Sequence, residues 1–171
     1  VVNVDVRFAC GVPTCGVDAR WHTADAPRTA QQRTEASLSL SVEKLLRAVI
    51  VLEKFPRCAV NVAVRVLSAD GGVEAAVLNA TMMALLDAGI PCHCTAAAAN
   101  VALLSRAPTS SPPVVAGSGS TDLFVVLDPV AEEEQRAAGV GTFVFRCREG
   151  ATDADGTAMP ALLFERTDAP S

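Results

Sequence analysis

At 171 residues the chain is long enough to bury one core and too short to require two, so a single domain over 1–171 is expected. Half of it is apolar yet only 4% is aromatic, which calls for a core of closely packed Ala, Val and Leu and favours layered helices and strands. A formal charge of −5 opposes a polyanion at long range and excludes tight nucleic-acid binding by the domain alone, unless a local basic patch or basic neighbours assist.

Val2, Val4, Val6 and Phe8 alternate with Asn3, Asp5 and Arg7, the period of a half-buried strand from Val2 to about Ala9. Gly11, Val12 and Pro13 end it, and a polar stretch leads through Pro27 to Thr29, which can form a reciprocal capping box with Gln32 and start a helix. Leu38, Val42, Leu45, Val49 and Leu52 then step by four and three along one stripe, up to a stop at Pro56. Off the stripe, Glu43 and Arg47 form an i,i+4 pair whose expected worth is a few tenths of a kcal/mol, about 0.3, with no function attached.

A second strand follows where Val60, Val62, Val64 and Val66 alternate with Asn61, Ala63 and Arg65. Asp70, Gly71 and Gly72 make a turn into Val73 to Ala88, apolar nearly all round and so a helix buried between layers. Gly89 supplies a left-handed stop, with Pro91 beyond to prevent continuation. Cys92 to Leu104 reads as a strand, although its Ala-rich centre would also tolerate helix. Residues 107–120, rich in Pro, Ser, Gly and Thr, are expected to form a mobile surface loop, followed by strands at Leu123 to Leu127, Val140 to Cys147 and Ala161 to Glu165. Helices and strands mix without a regular βαβ rhythm, so the expected class is α+β with a mostly antiparallel sheet and packed helices.

The six cysteines lack CxxC spacing, and no regularly spaced histidine joins them, so reduced thiols are expected and no metal or other cofactor. Cys92 and Cys94 fall in an expected strand, where they would share a face. His22 and His93 have no motif around them and read as packed or solvated side chains. No apolar run reaches the length of a membrane span and the first residues lack the regions of a secretory signal, so a soluble intracellular protein is the default, without a membrane partner. The chain begins without Met and is expected to be a portion of something longer.

Taken in order, Phe55-Pro56-Arg57, Val60 to Leu67, Asp70-Gly71-Gly72, Leu78-Asn79-Ala80, Ala84-Leu85, Asp87-Ala88-Gly89-Ile90-Pro91, Val126-Leu127-Asp128-Pro129 and Glu132-Glu133-Glu134 resemble the RNase PH family. Asp-Gly-Gly alone is a weak signal; strand, glycine turn, buried helix and closing Asp-Ala-Gly-Ile-Pro in the family's order and approximate spacing are specific. The likeness runs roughly from Arg28 to Val144. It implies a β-α-β-α domain lacking its first hairpins and the closing helix. Within the family, the chain looks like the RNase PH-like subunits of the eukaryotic RNA exosome core ring, of the ribosomal RNA processing type and closer to bacterial RNase PH. That implies a hetero-hexameric ring of such subunits, RNA contacted through the assembled complex, and a location in the nucleus, nucleolus and cytoplasm.

Active family members degrade RNA from its 3′ end by phosphorolysis, which requires a cationic pocket for phosphate and a pair of carboxylates acting as general acid or metal holder. Their glycine turn runs Asp-Gly-Gly-Thr-Arg, and the arginine serves the phosphate. Here Val73 and Glu74 stand in its last two places, removing a hydroxyl and reversing the charge. Asp128 and Glu134 keep the six-residue separation of the family's two catalytic aspartates, but without the phosphate pocket they read as a turn plus a solvated acidic face, vestiges of the site. Arg57 and Arg65 are candidate RNA or subunit contacts, equally readable as ordinary surface arginines. The resemblance therefore implies a non-catalytic ring subunit supporting 3′-to-5′ RNA processing and degradation. The alternative is an active phosphorolytic exoribonuclease, alone or as one half of a composite site.

Overall fold

The computed structural model describes residues 1–9, 27–105, 123–147 and 161–168. The element order is β1 (Val2–Phe8), α1 (Pro27–Val49), β2 (Val60–Val66), α2 (Val73–Asp87), β3 (Thr95–Ser105), β4 (Leu123–Leu127), α3 (Ala131–Arg136), β5 (Gly139–Cys147) and β6 (Ala161–Asp168), with a short 3₁₀ turn at Leu52–Lys54. The four strands β4-β3-β5-β6 form an antiparallel sheet, while β1 and β2 pair in parallel through the α1 crossover. The α+β class with mostly antiparallel pairing thus holds. One βαβ unit was not expected, because β1 and β2 carry the half-polar alternation of a strand with one solvated face, whereas parallel strands usually read as continuous apolar runs.

Alternation explains both halves of that pair. Val2, Val6, Phe8 and Val66 are buried with the inner face of α1, whereas Asn3, Asp5, Arg7, Asn61 and Arg65 are exposed. On the outer face the Asn3 Nδ2 donates to Asn61 Oδ1 at 2.8 Å, directly across the register. Asp5 accepts from Arg7 Nε at 2.9 Å and from Arg65 at 3.3 Å. The Arg7 hydrogen bond is the main cause that holds the Asp5 carboxyl below its ordinary value; desolvation opposes it, and the charge of Arg7 and the hydrogen bond and charge of Arg65 add to it. A depressed folded-state value means that the contribution is complete above the unfolded-state value and is lost as pH falls through the folded one. Arg7→Gln is expected to move the Asp5 titration midpoint upward, followed by carboxyl-carbon NMR shifts; an unmoved midpoint would remove the guanidinium as the cause.

Helix α1 begins at Pro27, with proline in its first turn, so Thr29 lies within the helix and not ahead of it. Leu38, Val42, Leu45 and Val49 form the expected stripe, joined by fully buried Leu46; each such burial contributes about 1.5–3 kcal/mol. The helix stops at Val49, before Pro56, and Leu52 is exposed in the following turn. Ile50 bridges to Cys92, and the backbone N–H of His93 donates to Val49 O at 2.8 Å, so the chain has left helical geometry before the proline. Glu43 and Arg47 do pair, at 2.6 Å.

Helix α1 packs on β1, and α2 packs on β3 and β5 and against α1. The expected burial of α2 on all sides does not hold, because Asn79, Ala80, Met83 and Leu86 lie on an exposed face, Met83 at 68%. Gly89 adopts φ +65 after α2, as its place predicts. Cys92 and Cys94 precede β3 instead of lying within it, and burial, then the neighbouring Cys94, pushes the Cys92 thiol up. The four described cysteines are free. The predicted loop over 107–120 lies outside the described residues.

The outer face of β4, β3 and β5 is largely apolar, with Glu165 and Thr167 of β6 exposed beside it. Val101 pairs with Leu127, Leu103 with Val125, Ala99 with Phe143 and Ala97 with Phe145, and all of these are half-exposed or exposed, with Leu127 at 70% and Val125 at 64%. Among the described residues, no helix is long and apolar enough to cross a membrane.

Candidate functional site

Three separate segments meet at the glycine turn. Gly71 (φ +85) and Gly72 (φ +60) take the left-handed backbone that lets the chain enter α2, with Gly72 as its N-cap. Asp128 also has positive φ, +53, and its backbone N–H donates to Asn100 O at 2.9 Å, fixing the turn between β4 and α3 to β3. The two turns then touch. A Cβ on Gly71 would stand 2.2 Å from Pro129 O, and one on Gly72 would stand 2.9 Å from Asp128 Oδ1.

Glu134 locks the contact. Its Oε1 accepts from Gly72 N–H at 2.9 Å and from Asn100 Nδ2 at 2.8 Å, placing a carboxylate at the positive end of α2. It is half-buried. The expected solvated acidic face is therefore wrong for this residue, because Glu132 to Glu134 lie on a short helix, α3, whose turn carries Glu134 inward. Glu133 accepts from the Val130 N–H at 3.0 Å and so helps start that helix, while Glu132 and Arg136 remain exposed. Asp128 is exposed beside Gly72 and makes no ion pair among the described residues.

Glu74 points the other way. Half-buried in the first turn of α2, its carboxylate accepts from Ser41 Oγ on α1 and from Thr142 Oγ1 on β5 at 3.2 Å. Thr142, only 4% exposed, also lies 3.1 Å from Asn100 Oδ1. One hydroxyl proton faces two acceptors there, so a polar chain runs from Ser41 through Glu74, Thr142 and Asn100 to Glu134 and Gly72. Val73 is half-buried and partly packed against the core.

The site thus brings together Val73, Glu74, Asp128 and Glu134. Arg57 and Arg65 are not part of it. Arg57, at φ +63, precedes β2, whereas Arg65 is near the other end of that strand and engaged with Asp5 at 3.3 Å. Asn100 and Thr142 join the site without a motif to mark them in the sequence. The available signal was parity: Asn100 falls in step with Ala96, Ala98 and Ala102, an isolated polar residue on a buried strand face, and such a residue needs a partner. Asn79 pairs with both backbone groups of Ala98, at 2.9 and 2.8 Å.

Chemically, the arrangement offers two solvent-facing carboxylates at a glycine turn, Asp70 within it and Asp128 over it, with Glu134 occupied in holding that turn shut. Among the described residues no Arg or Lys forms an ion pair with Asp70, Asp128 or Glu134, and no group of three His, Cys, Asp or Glu is placed to hold a metal ion.

A parallel crossover pair, a helical layer, an antiparallel sheet and a glycine turn faced by two carboxylates define an RNase PH-type domain. The chain belongs to the 3′ exoribonuclease family, whose domain 1 model matches residues 1–91 and so includes β1, earlier than the likeness read from motifs. The exosome complex component Rrp41 of Nitrosopumilus maritimus is 48% identical over 62 residues, 36% of this chain and 25% of that protein. Rrp41 of Archaeoglobus fulgidus is 31% identical over 132 residues, 77% of this chain and 45% of that protein. The chain thus spans less than half the length of these curated relatives. The crystal structure of rice (Oryza sativa) Rrp46 superposes with a TM-score of 0.65 at 18% identity, covering 99% of this chain and 60% of that one, a likeness of fold.

Proposed function

We propose that this chain is a non-catalytic subunit of an exosome-type ring, joined to other RNase PH-like subunits in a hetero-hexamer that processes and degrades RNA from the 3′ end. The observation that carries the reading is Glu74. At the place where active relatives set a phosphate-binding arginine, this chain has a carboxylate held inward by Ser41 and Thr142. Phosphate would meet neither a cation nor a hydroxyl from Val73 there. The names of the relatives, exosome components from archaea and eukaryotes, support the complex. The exposed apolar face of β4, β3 and β5 supports a neighbour, since contiguous apolar surface of that kind is what partner chains cover. RNA contact then comes through the assembled ring, and the chain works in the nucleus, nucleolus and cytoplasm.

A second reading, one half of a composite phosphorolytic site, is favoured by Asp128 alone, which faces solvent beside an intact glycine turn. The discriminating assay incubates the purified protein with a 3′-tailed RNA, with and without inorganic phosphate. No phosphate-dependent release of nucleoside diphosphates is expected, and affinity purification is expected to recover other RNase PH-like chains. Phosphate-dependent trimming that disappears in Asp128→Asn would overturn the non-catalytic assignment.

A further inference from the structure

A concave site lies away from the glycine turn. A cavity of about 350 Å³ is lined by Ala48 at the end of α1, by His93 and Cys94 ahead of β3, by Arg146 on β5 and by Leu163 on β6. Arg146 is four residues beyond Thr142 on β5, about 13 Å along the strand from the polar chain, so the two sites are distinct. Among the described residues Arg146 makes no ion pair, unlike Arg7, Arg47, Arg65 and Arg136, each of which faces a carboxylate.

From this lining we infer that the cavity is a binding site for a phosphate monoester carrying an apolar or flat body, such as a nucleoside monophosphate or the phosphorylated end of an RNA. The guanidinium supplies a fixed fork of donors that matches a phosphate, and the His93 ring adds another N–H donor. Ala48 and Leu163 give the non-polar wall. The volume falls within the range of sites for small organic ligands, about 300–1,000 Å³, and exceeds what a bare ion needs. Beyond the net charge of −5, which acts at long range, one local effect opposes the anion, the negative end of α1. It amounts to about half a charge, and part of it is already met by the His93 N–H on Val49 O, so the full charge of Arg146 outweighs it. This site does not depend on the proposed ring role.

The test follows the His93 imidazole C–H signals by NMR in the purified protein, with His93→Gln assigning them against the other histidine, His22. In one arm uridine monophosphate is compared with uridine; in the other, a short RNA with a 5′ phosphate is compared with the same RNA ending in a hydroxyl. A phosphate-dependent shift is expected in at least one arm, and the responding arm identifies the source. Arg146→Gln should weaken that response by roughly tenfold to a hundredfold, the loss of one charged hydrogen-bonding partner, with Arg146→Lys between the two. Arg146 is exposed, so both variants should fold. The absence of a phosphate-dependent shift in both arms, or an equal shift in Arg146→Gln, would overturn the site.

Discussion

Gly71→Ala is expected to lower the stability of the domain by about 4 kcal/mol, enough to bring a domain of ordinary stability close to its unfolding transition at physiological temperature. Two penalties coincide at this position. The residue sits at φ +85, where a side chain is strained, and its Cβ would meet Pro129 O at 2.2 Å, Val130 C at 2.8 Å and Ala131 N at 2.9 Å. All three are backbone atoms, so no rotamer change relieves the overlap. The start of α3 must move, and Glu134 then loses its grip on the Gly72 N–H. Gly89→Ala is the control, with φ +65 but open space within 4 Å of the added carbon; it is expected to cost only the strain, about 1 kcal/mol. Thermal melts followed by circular dichroism compare the two. Equal melting temperatures would mean that the turn at Asp128 does not press on the glycine turn.

Asn100→Ala is expected to cost about 3 kcal/mol, read as a fall in the urea midpoint with the slope unchanged. The side chain is 5% exposed and connects a half-buried carboxylate, Glu134, with a buried hydroxyl, Thr142, so its removal leaves both short of a partner. Asn79→Ala supplies the contrast. Its two bonds go to the backbone of Ala98 in an exposed position where water can replace them, and about 1 kcal/mol is expected. If Asn100→Ala proved as mild as Asn79→Ala, the polar chain would not be what holds the glycine turn to the sheet.

Most of the elements were legible because each is announced by its own neighbours. β1, β2, β4 and β5 fall within a residue of their expected limits, since alternation between a buried and a solvated face is a local signal. Helix α2 could be read from its glycine turn at one end and Gly89 at the other. The departures have particular causes too. Leu52 continued the apolar rhythm of α1 in sequence, but the bridge from Ile50 to Cys92 had already drawn the chain away. Six residues of α3 were overlooked because their surface charges resemble a solvated turn and only Ala131 is buried.

The candidate site divides along the same line. The sequence alone determined the family likeness, the glycine turn, the separation of Asp128 from Glu134 and the carboxylate at position 74, all matters of residue type and short spacing. It could not show that Glu74 turns inward to Ser41 and Thr142, that Glu134 closes on a backbone N–H 62 positions away, or that β1 and β2 run in parallel. Those outcomes depend on how α1, α2 and the two sheets pack. The direction a half-buried carboxylate takes is set by the donors that packing brings within reach, and these donors come from segments distant in the chain.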